Sequence, residues 1–308
     1  MPSAHSRPRR GGRSRLCLSA AAVVLAAGGV YAALPALEAS SRDVSSAPSS
    51  FASAVAGPST LTVAESEEPT VDYDAVLAAA MKSVVPGADA KVSVAVLDVR
   101  SGKSATYGTG AFDTASIVKV DILAALLLGA QDDGRSLTAQ EKSYATSMIE
   151  NSSNASATAL WDAIGGADGL DAANKRLGLS GTTGGEGPRW GLTRTTAADQ
   201  LTLLNVVFGS GPVLDASSRA YIKGLMGQVE ADQQWGVSAA GSSWELKNGW
   251  LPRSATGLWD INSIGHVTEG GRSYLLAVLS GGNASQKAGI SLVEAAATTA
   301  VTAIAGAV

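Results

Sequence analysis

Cysteine and histidine are nearly absent from this chain. Its single cysteine, Cys17, and its two histidines, His5 and His266, leave the region from residue 38 onward with no thiol and one imidazole. That region therefore has no disulfide and no thiolate metal site, and its stability must come from a buried core. A nucleophile activated by histidine is also disfavoured, since His5 precedes an apolar run and His266 falls on a late strand without a recognisable partner. Excess positive charge is missing too. From residue 71 onward 17 basic residues face 22 acidic ones, a net of −5, which argues against a nucleic-acid partner.

What is present is unevenly distributed. Arg7, Arg9, Arg10, Arg13 and Arg15 precede an uncharged apolar run over residues 16–37. The run is long enough to span a bilayer, and basic residues before it predict a cytoplasmic 1–15 segment with the remainder exported. Its length favours a retained transmembrane anchor over a cleaved signal sequence, though both remain open. Arg9 and Arg10 are a weak twin-arginine hint, and Cys17 lies at the start of the run, where it reads as a membrane-embedded thiol. Residues 38–70 are rich in Ser, Ala and Pro and read as a disordered spacer. The folded domain is expected over 71–308, extracytoplasmic and either anchored to the membrane or secreted. It is expected to be monomeric, with no metal and no cofactor.

Within that domain residues 112–128 form the organising stretch. After Ala115 its only charged residues are Lys119 and Asp121, and a helix apolar nearly all round belongs inside a core. Positions three apart meet on one helix face, so Ser116 and Lys119 are a nucleophile beside a candidate base. Asp113 or Thr114 is placed to cap the helix start. Before it, 71–84 reads as an amphipathic helix, and 91–99 and the segment ending at Tyr107 as two strands. After it come helices near 139–150, 155–164, 169–177, 197–208 and 216–226, with four small polar residues, Asn151 to Asn154, interrupting the first pair. A glycine-rich loop over 178–192 holds Glu186, Arg189 and Trp190. Strands are expected over 243–247, 259–267 and 272–280, the last two joined as a hairpin, followed by an Ala-rich helix over 284–307 that packs on the sheet. The fold class is α/β of the α+β type: one antiparallel five-stranded sheet flanked by terminal helices, with an inserted all-helical lobe.

Three groups occur in order: Ser116-Ile117-Val118-Lys119, Ser152-Ser153-Asn154 and Lys247-Asn248-Gly249. The chain resembles the serine β-lactamase and penicillin-binding family, specifically its class A β-lactamase-like branch, whose pattern is Ser-x-x-Lys, Ser-Asp-Asn and Lys-Thr-Gly. The resemblance implies that Ser116 is acylated, Lys119 is its base, and Ser152 passes a proton toward the leaving nitrogen. Asn154 would bond the substrate amide, and Lys247 and Asn248 its carboxylate. Gly249 would let substrate lie along the strand, and the N–H groups of Ser116 and Trp250 would form an oxyanion hole. Two positions depart from the family, Ser153 for an aspartate and Asn248 for a hydroxyl residue. The 178–196 loop also lacks the Glu-x-x-Leu-Asn segment that holds the deacylating water, leaving Glu186 as its one carboxylate. The resemblance implies an exported serine hydrolase acting on β-lactams or on D-alanyl peptides of peptidoglycan type. The alternative is a catalytically weak or inactive penicillin-recognising cell-wall binding or sensor domain.

Overall fold

A computed structural model describes residues 71–84 and 86–307. The basic segment 1–15, the apolar run 16–37 and the spacer 38–70 lie outside the described residues. Helix α1 (Tyr73–Met81) opens the domain, its first turn capped by the Asp72 carboxylate, which accepts from Ala75 N. Strands β1 (Lys91–Asp98) and β2 (Ser104–Tyr107) follow as an antiparallel pair.

The rest of the sheet comes from the C-terminal part: β5 (Ser243–Pro252), β6 (Trp259–Glu269) and β7 (Arg272–Asn283). The order is β2-β1-β7-β6-β5, and every pair is antiparallel. These late strands run longer than the sequence pattern indicates, and the largest difference has consequences for the site. Lys247, Asn248 and Gly249 sit inside β5 rather than at its end, because β5 stays paired with β6 to Pro252. In β7 the run Tyr274 to Leu279 is buried throughout, as a strand covered on both faces requires. Leu275, Ala277 and Leu279 face one core and Tyr274, Leu276 and Val278 the other, which is the period-two alternation of a pleated strand.

The second of those cores is closed by α1 and by α8 (Gln286–Gly306). Gly289, Leu292, Val293, Ala296, Ala297, Ala300, Val301 and Ile304 recur at three- and four-residue spacing along α8 and are buried against the sheet. That helix is apolar and long enough to cross a bilayer by composition alone, yet its apolar stripe is already used on the sheet.

The first core belongs to the helical lobe: α2 (Val118–Asp132), α3 (Ala139–Glu150), α4 (Asn154–Ala163), α5 (Gly166–Leu177), α6 (Ala197–Phe208) and α7 (Ala216–Met226). The centre is α2, whose residues Val118 to Leu128 are buried without interruption. Its start differs from expectation. Phe112–Asp113 form a short strand, β3, paired with β4 (Arg194–Thr195), and Ala115–Ile117 form a 3-10 turn before the α-helix proper. Neither Asp113 nor Thr114 caps that turn with its side chain. Asp113, 7% exposed, is instead held by the guanidinium groups of Arg194 and Arg253, and a buried carboxylate with two cationic partners stays out of the capping role.

Candidate functional site

Ser116 sits at the middle of the 3-10 turn, half-buried, at the junction of sheet and lobe. The turn is strained at its first residue: Ala115 has φ 48°, a left-handed conformation unusual for a residue with a Cβ. Three contacts hold it. Asn262 Nδ2 on β6 donates to Asp113 O at 2.9 Å and to Thr114 O at 3.0 Å. Thr114 N donates to Thr193 O at 2.9 Å. Gly249 on β5 lies so close that a Cβ there would be 2.7 Å from Thr114 O and 2.8 Å from Ser116 N. The glycine therefore lets the chain's own Ser116 turn approach the strand.

Lys119 is fully buried in α2. Its amine donates to Ser152 O at 2.7 Å, Ser152 Oγ at 3.0 Å and Asn154 Oδ1 at 2.9 Å. None of its hydrogen bonds goes to Ser116, so the contact suggested by their spacing is not made in this state. Ser116 precedes the α-helix on the 3-10 turn, and the three oxygens of the 152–154 loop take all three donors. Burial lowers the Lys119 amine to about 7.

Lys247, also fully buried, approaches the same serine from β5. Its amine donates to Ser152 Oγ at 3.1 Å, to Asn248 O at 3.2 Å and to Gln233 Oε1 at 3.4 Å. Burial pushes it well below the ordinary lysine range, and repulsion from Lys119 pushes it further. Two lysines thus converge on one hydroxyl, and among the described residues no carboxylate pairs with either amine. Ser152 itself has φ 54°, and with Ala115 it completes the set of non-glycine residues at positive φ among the described residues.

The loop that presents Ser152 is braced without the family's aspartate. Ser153 Oγ caps α4 by accepting from Ser156 N at 3.2 Å, and Ser153 N donates to Ser147 O at 3.0 Å. Asn151 Nδ2 ties the loop to Glu230 at 2.5 Å. Serine at 153 thus contributes a helix cap where the family pattern has an aspartate. Asn154, exposed at the start of α4, spends its oxygen on Lys119, while its Nδ2 has no partner among the described residues.

Three expected roles meet a different geometry. Asn248, which its motif position makes a donor to a substrate carboxylate, is fully buried, and its Nδ2 donates to Gln233 O at 2.7 Å and Trp235 O at 2.9 Å. On β5 it points to the face opposite Lys247, and its Oδ1 is buried without a partner. Glu186, the one carboxylate of the 178–196 loop, has a side chain 89% exposed and paired with Arg189 at 2.8 Å, an orientation toward solvent. His266 does have a partner: Glu245 Oε2, across the strand pair, lies 2.7 Å from Nδ1, and the ring stacks on Phe208. Trp250 sits on β5 opposite Ile261, its ring edge-on to Trp235 at 6.1 Å between centroids.

Residues that the motifs did not reveal complete the site. Asn262 clamps the Ser116 turn, Gln233 orients Lys247, and Trp190 places its ring 4.9 Å from the Lys119 amine. Asn262 falls on a strand already rich in polar residues, so nothing in the sequence singled it out. Nothing in the sequence around Gln233 or Trp190 announced their partners. Together the groups supply a hydroxyl on a strained turn, an amine that is partly neutral near pH 7, and a second hydroxyl bridging two amines. That set suits proton transfer during acyl transfer.

A family model described as the beta-lactamase enzyme family matches residues 142–304. The match includes Ser152, Asn154 and Lys247 and begins after Ser116 and Lys119, which the fold brings to the same place. No curated relative matches in sequence. Among solved structures, a class A β-lactamase from Bacteroides cellulosilyticus DSM 14838 aligns with a TM-score of 0.65 at 15% identity, over 76% of this chain and 99% of its own. PBP-A aligns with a TM-score of 0.64 at 19% identity, over 74% and 95%. The TLA-1 extended-spectrum β-lactamase aligns with a TM-score of 0.66 at 15% identity, over 75% and 98%. These structures share the fold, and with the matched span exceeding half of the chain, the chain belongs to the beta-lactamase enzyme family.

Proposed function

We propose that this chain is an exported serine hydrolase that forms an acyl-enzyme on Ser116 with β-lactams or D-alanyl peptides. The observation that carries the reading is the convergence of Lys119 and Lys247 on Ser152 Oγ, at 3.0 and 3.1 Å, beside the Ser116 turn. In its neutral form Lys119 takes the Ser116 proton as the Oγ–carbon bond forms. Ser152 hands a proton to the nitrogen as the carbon–nitrogen bond breaks, and is resupplied from the two amines that flank it. The N–H groups of Ser116 and Trp250 receive the developing oxyanion, a contribution on the order of 100-fold to 1000-fold in rate per donor. A structural neighbour, a mutant of PBP-A, is described as an acyl-enzyme complex with penicillin-G, which favours a β-lactam as the first probe.

Release of the acyl group is the slow half of the proposed cycle. It needs a water aimed by a base, and Glu186 faces solvent in a salt bridge with Arg189. Export rests on the arginines before the 16–37 run, which would leave the domain outside the cytoplasmic membrane, anchored or secreted, as a monomer. Intact mass after mixing with benzylpenicillin tests the reading. A single adduct is expected on the native chain and none on Ser116→Ala. A native chain that stays at its own mass would favour the inactive sensor reading, to which the absence of a Ser116–Lys119 bond and the engaged amide of Asn248 already point.

A further inference from the structure

The 178–196 loop contributes no carboxylate to the site, yet it touches it. Its 3-10 turn Trp190–Leu192 packs on the Ser116 turn, with Thr114 Oγ1 donating to Gly191 O at 3.5 Å. Trp190 Nε1 donates to Thr158 Oγ1 at 3.2 Å, which fixes the indole on α4 and holds its face 4.9 Å from Lys119 Nζ.

We propose that Trp190 is a positioning residue for the acyl-transfer site: its indole lies against the Lys119 amine beside the 152–154 loop, favouring the ammonium there and keeping water off it. The proposal rests on Lys119 being the base of Ser116 only for its kinetic consequence. The contact itself is independent of that reading. The surroundings of Lys119 make the ring's effect legible. Facing the amine from β5 is Lys247, through Ser152; from the loop and α4 come the neutral oxygens of Ser152 and Asn154. From the 178–196 loop comes the indole, with Glu186 turned away toward Arg189. On α2 itself Asp121 is buried against Asn174 of α5. With no carboxylate in contact, the quadrupole of the indole is the attraction that acts on the cation besides those oxygens.

Replacing the ring by an aliphatic cover keeps water out and removes the attraction, so Trp190→Leu should lower the Lys119 titration by about half to one pH unit. Trp190→Phe keeps a ring but loses the Thr158 bond, and should shift it by less than half of that. The primary readout is an NMR titration of the lysine side-chain amine in the unacylated full-length chain, with Lys119→Met identifying the resonance. The second is the pH profile of penicillin acylation, whose acidic limb should move down by the same amount. Equal Lys119 titrations in the native, Leu and Phe chains would overturn the proposal. If the native chain is never acylated, the proposed function fails, while the NMR shift still supports or refutes the role of Trp190. Circular dichroism of both variants guards against unfolding, and the Phe variant carries the test if Leu does not fold.

Discussion

Replacing Asp121 by asparagine should make the protein more stable, and the gain should grow with pH. Asp121 is fully buried in α2, and burial raises its carboxyl to about 8 from the 3.8 of an exposed aspartate; Asp171 and Asp199 push the same way. With its amide turned so that the nitrogen faces Asp121, Asn174 donates to the two oxygens at 2.9 and 3.2 Å and opposes the rise without cancelling it. The folded protein therefore holds a proton there that the unfolded chain has released. Stability from this group is greatest below about pH 4, is lost steadily as pH rises toward about 8, and is flat above. The slope is about 1.4 kcal/mol per pH unit, so between about pH 5 and pH 8 the native chain loses about 4 kcal/mol that an uncharged asparagine would not lose. For a domain of this size that is roughly 10 °C in Tm. Thermal unfolding of both chains followed by circular dichroism gives the difference curve, in which the titrations of Lys119 and Lys247 cancel. The two curves should lie within about 1 kcal/mol of each other near pH 5 and diverge above it. Parallel curves over that range would show that Asp121 is ionised throughout and would refute the reasoning.

Lys119→Ala should reduce penicillin labelling of Ser116 by at least about 100-fold, the usual loss for a missing general base, with the fold retained by circular dichroism; unchanged labelling would remove Lys119 from the mechanism. In the native chain the acylation rate should rise with pH through about 7, because the neutral amine is the reactive form, and a flat profile would count against it. Gly249→Ala places a methyl 2.7 Å from Thr114 O and 2.8 Å from Ser116 N, so the turn must shift and acylation should fall by more than about tenfold even where the Tm changes little. Asn262→Ala removes the side-chain donor to Asp113 O and Thr114 O and leaves the buried Ser280 N–H without its acceptor, and should cost about 2–4 kcal/mol in urea unfolding. Once formed, the penicillin adduct should persist for minutes or longer, and Glu186→Gln should leave its lifetime within about twofold, as time-resolved intact mass would show; prompt deacylation abolished by that substitution would assign the loop carboxylate a catalytic role.

The sequence by itself determined the layers of this protein. Apolar residues on nearly every side of 116–128 required a buried helix, and α2 is one; alternation and turn residues marked five strands, and the sheet has five in the expected antiparallel arrangement. Those patterns are legible because they are local: a period of two or of 3.6 residues is set by backbone geometry. Ser116 and Lys119 are neighbours in the chain, but their grouping with Ser152 and Lys247 was legible only through motif order, since those two side chains come from separate segments. What the tertiary structure alone decided is where each of those side chains points and what holds it. Asn248 and Lys247 are neighbours in sequence, yet the pleat sends them to opposite faces, one into Gln233 and Trp235 and the other toward Ser152. Asp113 left the capping role because Arg194 and Arg253, 81 and 140 residues away, converge on it. Lys119 bonds the 152–154 loop rather than Ser116 because three oxygens meet its amine there, and Trp190 covers it from a loop with no periodicity to read. Such contacts depend on chain segments far apart in sequence, and the hydrogen-bond partners of a buried polar group are chosen only when the fold has closed around it.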